Sequence, residues 1–249
     1  MAFYDEKGIL RNQTNIALHD KTALRQCIYN SEQKIIYNGY LNNTAATYQG
    51  KGITYDENGI KLYDGDWVNG EKTGIGIIYD ECEIKEYMGE LLTGEKHGNG
   101  IYWYKNGQKQ YEGGFEHNNW HGQGTLYLDN GIKIYEGGWN HGEKHGKGVE
   151  YDDEQRKIYD GSFNNGNREG KGSLYAENGL LIYSGYWKMD KREGKGNYYD
   201  ENGVIWYSGY WRDDKKKGKG ICYDPKGRPI FKGTLNDNTY NGYGKRLDY

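Results

Sequence analysis

Several ordinary ingredients of a globular domain are scarce in this chain of 249 residues. Only 35% of the residues are hydrophobic, below the roughly 45–50% usual for globular domains, which argues against a thick aliphatic core. The 2 prolines are too few for a Pro-rich linker. The 3 cysteines, Cys27, Cys82 and Cys222, are odd in number and far apart, which indicates free thiols in a reducing compartment rather than a disulfide framework.

Strong net charge and long apolar runs are missing as well. The formal net charge is -3, so no overall field favours nucleic acid or a membrane surface. No apolar run is long enough to span a bilayer. The first residues, Met1 to Lys7, lack the basic region and apolar core of a signal peptide. We therefore expect a cytoplasmic protein that binds no nucleic acid.

Glycine and tyrosine are abundant instead, and they recur at a fixed interval. The glycine that opens each Gly-x-Gly pair returns every 24 residues from Gly50 to Gly242. The aromatic residue that opens each unit returns with the same period from Tyr63 to Phe231. A disordered chain would also have low hydropathy, but it would not have 15% aromatic residues at regular spacing. Self-similarity with a period of this length indicates a repeat protein.

One unit shows the motif clearly. Residues 135–148 read Tyr-x-Gly-x-Trp-x-x-Gly-x-x-x-Gly-x-Gly, which resembles the MORN repeat (membrane occupation and recognition nexus). The resemblance covers about residues 37–244 in nine tandem copies. The usual unit is one residue shorter, and the extra residue falls in a turn. Similar proteins occur in ciliary radial spokes and other axonemal complexes, in the cortical cytoskeleton and at membrane contact sites, so the resemblance implies a binding or scaffolding role.

The two ends of the array are expected to differ from its middle. Residues 1–36 contain a degraded copy of the unit, which we interpret as a capping repeat; a short helix around residues 16–25 is the alternative. Residues 37–249 then hold nine repeats, the last of them degenerate. No change of composition marks a linker, so the sequence predicts one continuous elongated domain.

The turns of each unit predict an all-β fold. Asn-Gly pairs such as Asn202-Gly203 favour two-residue hairpin turns, because both central positions need positive φ. That turn would place Tyr198 opposite Tyr207 and, in another repeat, Asp56 opposite Lys61. The resulting fold is an elongated, single-layer antiparallel β-meander built of 24-residue hairpins.

The second hairpin of a unit predicts which residues share a face. Pairing Trp67 with Gly74 places Tyr63, Trp67 and the glycines of the motif on one side of the sheet. A neighbouring tryptophan could then lie flat across a glycine. Replacing Gly146 or Gly194 by valine is therefore expected to damage packing.

Catalytic and metal motifs are not found. His97, His121 and His145 lie one unit apart, roughly 10 Å, too far to share a metal. His117 with His121, and His141 with His145, could meet within a single turn. The Gly-x-Gly pairs precede strands rather than helices, so they are not phosphate loops. We expect no catalytic, cofactor or metal site.

Two features near the C-terminal end indicate partner binding. The reverse face is most aromatic there, through Tyr186, Tyr199, Trp206 and Tyr210, with Ile182 placed beside them. The nearby turn is basic, through Lys215, Lys216 and Lys217, which favours an acidic protein surface or anionic lipid. The alternatives are that the aromatic residues only cover the sheet and that the lysines only keep it soluble.

Together these features predict a non-catalytic scaffold that binds other proteins of a large assembly. The resemblance favours a cytoskeletal location and, within it, a cilium or axoneme. The alternative is a peripheral module that binds membrane phospholipid. Self-association is left open by the sequence.

Overall fold

A computed structural model describes residues 24–42 and 45–247 of the chain. These residues form a sheet of 19 strands and contain no helix. Each strand pairs antiparallel with the next one along the chain. The predicted all-β meander is confirmed. Most of the predicted capping repeat, and of the helix proposed as its alternative, lies outside the described residues.

The strands are β1 (Leu24–Tyr29), β2 (Ile35–Leu41), β3 (Tyr48–Tyr55), β4 (Lys61–Val68), β5 (Glu71–Tyr79), β6 (Lys85–Leu92), β7 (Glu95–Trp103), β8 (Lys109–Glu116), β9 (Asn119–Tyr127), β10 (Lys133–Asn140), β11 (Glu143–Tyr151), β12 (Lys157–Asn164), β13 (Asn167–Tyr175), β14 (Leu181–Lys188), β15 (Lys191–Tyr199), β16 (Ile205–Arg212), β17 (Lys215–Tyr223), β18 (Pro229–Asn236) and β19 (Thr239–Arg246). An even-numbered strand and the strand that follows it make up one repeat.

Along one edge of the sheet the turns contain three residues, not the predicted two. The amide of Asp56 donates to the carbonyl of Ile60 over 2.9 Å. The carboxylate of Asp56 accepts from the amides of Asn58 and Ile60, each over 2.8 Å. Only Gly59 has positive φ. This three-residue turn places Tyr55 opposite Lys61, so the prediction that Asp56 lies there was wrong.

The two-residue turns lie along the opposite edge. Asn69 and Gly70 both have positive φ, 52° and 88°, as this hairpin type requires. Trp67 therefore lies opposite Lys72, and the predicted pairing of Trp67 with Gly74 within this hairpin was wrong. Gly74 instead has a φ of 90° at an irregularity that follows the turn.

A ladder of facing glycines crosses the sheet. Every strand from β2 to β19 contributes one glycine that pairs with the corresponding glycine of its neighbour. The members are Gly39, Gly52, Gly65, Gly76, Gly89, Gly100, Gly113, Gly124, Gly137, Gly148, Gly161, Gly172, Gly185, Gly196, Gly209, Gly220, Gly233 and Gly244. The ladder leaves a strip of bare backbone on the side where their side chains would stand.

Tyrosine, not tryptophan, lies across this bare strip. A Cβ on Gly65 or Gly76 would meet the ring and hydroxyl of Tyr63. Tyr63 is 0% exposed, and its hydroxyl donates to the carbonyl of Asp66 over 2.9 Å. We call this side of the sheet the aromatic face and the other side the reverse face. Burial raises the pKa of the tyrosine at this position, to about 12 in Tyr37 and Tyr207.

Tryptophan, phenylalanine or leucine stands between successive tyrosines. The Trp67 ring meets the Tyr63 ring edge-on, with 5.1 Å between centroids, and its indole nitrogen donates to the carbonyl of Gly52 over 3.0 Å. This hydrogen bond reaches into the preceding repeat. Trp139, Trp187 and Trp211 make the equivalent bond. The predicted sharing of one face by Tyr63 and Trp67 is confirmed.

A third group covers each tyrosine from outside. It is an aromatic ring in some repeats: Tyr48 stacks on Tyr37 at 3.9 Å, and Trp120 stacks on Tyr111 at 4.7 Å. In others it is a cation, as with Lys72, whose Nζ lies 4.9 Å from the centre of the Tyr63 ring. Such cation–π contacts are favourable where the cation loses water. A single-layer sheet thereby obtains fully buried side chains.

An ion cluster on the aromatic face joins two neighbouring repeats. The Glu150 carboxylate lies 2.5 Å from Lys144 Nζ and 2.7 Å from Arg168 Nη2, and its side chain is only 14% exposed. Burial acts to raise the pKa of Glu150, but the hydrogen bonds and charges of Lys144 and Arg168 outweigh it and hold that pKa below its ordinary value. The carboxylate thus holds Arg168 over the Tyr159 ring, 4.6 Å from its centre.

We expect Gly148→Ala to destabilise the chain more than Gly146→Ala. A Cβ on Gly148 would overlap the ring and hydroxyl of Tyr135, and overpacking costs about 1–3 kcal/mol or more. Gly146 has no atom within 4 Å of its would-be Cβ, so the predicted packing damage there was wrong. Its φ of 72° still disfavours other residues, by roughly 1 kcal/mol. Urea unfolding followed by tryptophan fluorescence measures both; an equal or larger loss for Gly146→Ala would contradict this packing.

We expect Glu150→Gln to remove a pH-dependent part of the stability. Because the folded pKa of Glu150 is lowered, its contribution is present above the unfolded value near 4.3 and is lost as the pH falls through the folded value. The variant should lose about 1–3 kcal/mol at pH 7 and less at pH 4. Urea unfolding at the two pH values tests this. Glu154→Gln, whose side chain is 68% exposed, is the control and should change the stability little. If Glu150→Gln lost as much stability at pH 4 as at pH 7, the predicted pH dependence would be wrong.

Candidate protein-binding face

The three lysines predicted to form a basic patch have separate surroundings. Lys216 lies over the Tyr207 ring, 5.1 Å from its centre, and burial lowers its pKa. Lys215 and Lys217 lie 3.7 Å and 3.5 Å from the carboxylate of Asp237. Much of the positive charge of this turn is therefore balanced within the chain. A role for these lysines in binding stays a prediction.

The four predicted aromatic residues lie in two separate regions and do not form one patch. Tyr186 and Tyr210 occupy equivalent positions in β14 and β16, in the middle of the reverse face, and are 43% and 42% exposed. Tyr199 lies at the end of β15, opposite Ile205, and is half-buried. Trp206, 42% exposed, stands next to Ile205 at an irregularity beside the three-residue turn.

The equivalent irregularity in the preceding repeat changes the side of the sheet on which Ile182 lies. Ile182 has the place in its repeat that Trp206 has in the next, and it packs against the cluster on the aromatic face. The prediction that Ile182 lies on the reverse face was wrong. A bulge adds one residue to a strand and breaks the alternation of sides on which that prediction depended.

Unbalanced positive charge lies instead in the middle of the reverse face. Lys147, Lys171, Lys195 and Lys219 occupy the same position in β11, β13, β15 and β17, and all four are exposed. Within the described part of the chain, none of them has a carboxylate within 4.0 Å. Each is the middle residue of a Gly-Lys-Gly sequence. The repeated Gly-Lys-Gly sequence could have identified these lysines, but we interpreted it only as a structural motif of the glycines.

Tyrosine and hydroxyl side chains alternate with these lysines across the strands. Tyr186 lies opposite Lys171, whose Nζ is 5.5 Å from the centre of the Tyr186 ring. Tyr210 lies opposite Lys195, whose Nζ is 5.6 Å from the centre of the Tyr210 ring. We name the whole row the lysine–tyrosine strip. Its members, in spatial order, are Lys147, Ser162, Lys171, Tyr186, Lys195, Tyr210, Lys219 and Thr234. The strip thus combines exposed rings with unpaired cations, the composition of a contact surface.

The same row differs in the N-terminal repeats. Asp66 occupies the position in β4 that Tyr210 occupies in β16. The Asp66 carboxylate accepts hydrogen bonds from Lys51 Nζ over 2.8 Å and from the amide of Ile75 over 3.1 Å. Glu90, one repeat further, accepts from the amide of Asn99 over 2.9 Å. The row therefore supplies its own carboxylates near the N-terminal end and none in the lysine–tyrosine strip.

The histidines pair between repeats, not within one turn as predicted. His117 meets His97 of the preceding repeat, with 5.7 Å between ring centroids, and His141 meets His121 in the same way at 5.8 Å. His117 Nδ1 also lies 2.6 Å from a carboxylate oxygen of Glu95, which raises the pKa of His117. The turns of adjacent repeats lie side by side, and that brings these rings together.

Among residues 24–42 and 45–247, no group of three or more His, Cys, Asp or Glu side chains has a geometry that could hold a metal ion. The same residues include no helix of the length and apolarity needed to cross a membrane.

Comparison with known proteins identifies the repeat. The MORN repeat matches seven segments that together make up more than half of the chain: residues 63–80, 87–109, 111–133, 135–154, 159–180, 183–205 and 207–227. Each segment begins at a tyrosine that the structure shows fully buried over the glycine ladder. No curated protein matches the chain. The chain therefore belongs to the MORN repeat family.

Proposed function

We propose that this protein is a non-catalytic scaffold that binds another protein through the lysine–tyrosine strip. The observation that carries the proposal is the contrast between the two faces. On the aromatic face the repeated tyrosine is 0% exposed from Tyr37 to Tyr207. On the reverse face, Tyr186 and Tyr210 stay more than two-fifths exposed between unpaired lysines.

The family supports a binding role. MORN repeats are a non-enzymatic repeat type and are commonly involved in protein or membrane-lipid interactions. A cytoskeletal assembly, and a ciliary one in particular, is our proposal for the setting, and it depends on the resemblance to proteins found there. The regular sheet suits such a setting, because strands spaced by about 4.8 Å hold surface groups at fixed intervals.

Membrane binding is the second candidate, and the unpaired lysines are the observation in its favour. A row of cations can attract anionic lipid. Neighbouring strands of a sheet rotate by roughly 20–25°, however, so a narrow row across many strands turns away from any plane. A partner that follows the row suits it better than a flat membrane.

We expect reversal of two strip charges to release the protein partner. The tagged chain and its Lys171→Glu/Lys195→Glu variant would be purified from their own cells, and the proteins that accompany each would be identified. Lys34→Glu/Lys191→Glu is the matched control, because it changes the same charge at turn lysines that already lie 3.3 Å and 3.5 Å from carboxylates of the chain.

Proteins lost from the strip variant but kept by the control would support the proposal. An unchanged set of partners would overturn it. Flotation with vesicles of anionic phospholipid separates the second candidate: flotation of the chain that the strip variant loses, without any protein partner, would favour lipid binding.

A further inference from the structure

The lysines of the strip have a regular spacing that a ligand would have to match. They come from alternate strands β11, β13, β15 and β17. Strands lie about 4.8 Å apart, so successive lysines stand roughly 10 Å apart. The row from Lys147 to Lys219 is therefore about 30 Å long and one side chain wide. This shape fits a single extended chain better than a globular surface.

The chain itself shows how a carboxylate binds at such a lysine. Lys51 has the position of Lys147 in an earlier repeat, and its Nζ donates to the carboxylate of Asp66 over 2.8 Å. Opposite Lys147 stands Ser162, which carries no charge. A carboxylate supplied from outside would replace the missing Asp66 in this pair.

Two depressions along the strip add hydroxyl groups to pairs of lysines. The first includes Lys147, Lys171, Ser173 and Ser184, together with Asp160, whose charge is balanced by Lys157 at 2.9 Å. The second includes Lys219, Lys232, Ser208 and Thr234. Lysine and hydroxyl donors together suit carboxylate oxygens. The strip is thus prepared for acidic groups at several points along its length.

We propose that the strip binds an acidic polypeptide segment in polyproline II conformation, with Asp or Glu at every third residue. This inference rests on the proposed scaffold function. Polyproline II has three residues per turn and rises 3.1 Å per residue, so every third side chain returns to the same side after about 9 Å. That interval matches the lysine spacing, whereas same-side residues of a β-strand recur after about 7 Å.

The tyrosines and the twist of the sheet favour the same partner. Exposed aromatic rings such as Tyr186 and Tyr210 form the grooves on which polyproline II segments dock in other proteins. An α-helix with acidic residues seven apart would also match roughly 10 Å. A straight helix cannot follow a row that rotates with every strand, whereas a chain without internal hydrogen bonds can.

The test compares labelled peptides of one composition and different order. The first repeats Glu-Pro-Pro over roughly twelve residues, enough to reach from Lys147 to Lys219. The second has its glutamates gathered at one end. Fluorescence anisotropy with the full chain gives both dissociation constants. We expect the periodic peptide to bind several-fold more tightly, and Lys171→Ala/Lys195→Ala to weaken it by about tenfold. Lys34→Ala/Lys191→Ala should leave its affinity unchanged.

Three results would overturn the inference. Equal affinity for the two peptides would show attraction without spacing, and no loss in the strip variant would place binding elsewhere. Binding to anionic vesicles without binding to the periodic peptide would assign the strip to lipid. If native partners depend on Lys171 and Lys195 while both peptides bind equally, the scaffold function stands and the proposed partner chemistry fails.

Discussion

The tyrosine ring that lies across two facing glycines is the contact on which this structure depends. A sheet of one layer has no second layer to cover it, so it must bury side chains against its own backbone. The glycines make that approach possible, because a Cβ on Gly65 or Gly76 would collide with Tyr63. Trp67 and Lys72 then close the ring from its edge and its outer side. Removing any of these groups would open the tyrosine to water.

This arrangement separates stability from binding. The aromatic face uses its repeated residues to hold neighbouring repeats together, so its composition changes little along the chain. The central row of the reverse face takes no part in this packing, and it changes from carboxylates at Asp66 and Glu90 to lysines and tyrosines at Lys171 and Tyr186. A row that is not needed for packing can vary in this way from repeat to repeat.

Much of the fold followed from periodicity, because the same residues recur at the same place in every repeat. The period placed Tyr63 and Trp67 on one face, and the structure agrees. It could not reveal the turns, since Asn58 and Gly59 are the last two residues of a three-residue turn in which only Gly59 has positive φ. Nor could it reveal the pairing of His97 with His117, which depends on how turns of adjacent repeats are offset.

The candidate site was found in part. Tyr186 and Tyr210 were predicted from their exposure on the reverse face, but the lysines beside them were missed. Lys215 to Lys217 form the longest basic run, yet the fold pairs or buries them. A run of charge in sequence spreads over both faces of a strand, whereas Lys171 and Lys195 come together only because their strands are neighbours of the same strand.

Among the described residues, the hydrogen bonds and ring contacts that join repeats link a unit to its immediate neighbour, as when the amide of Gly94 donates to the carbonyl of Lys72 over 2.8 Å. Copies could therefore be gained or lost during evolution without redesign of the remainder. Each gain would lengthen the molecule by about 10 Å and move its two ends apart by that step. A gene of this kind can set a distance between attached components simply by its number of copies, as a ruler does.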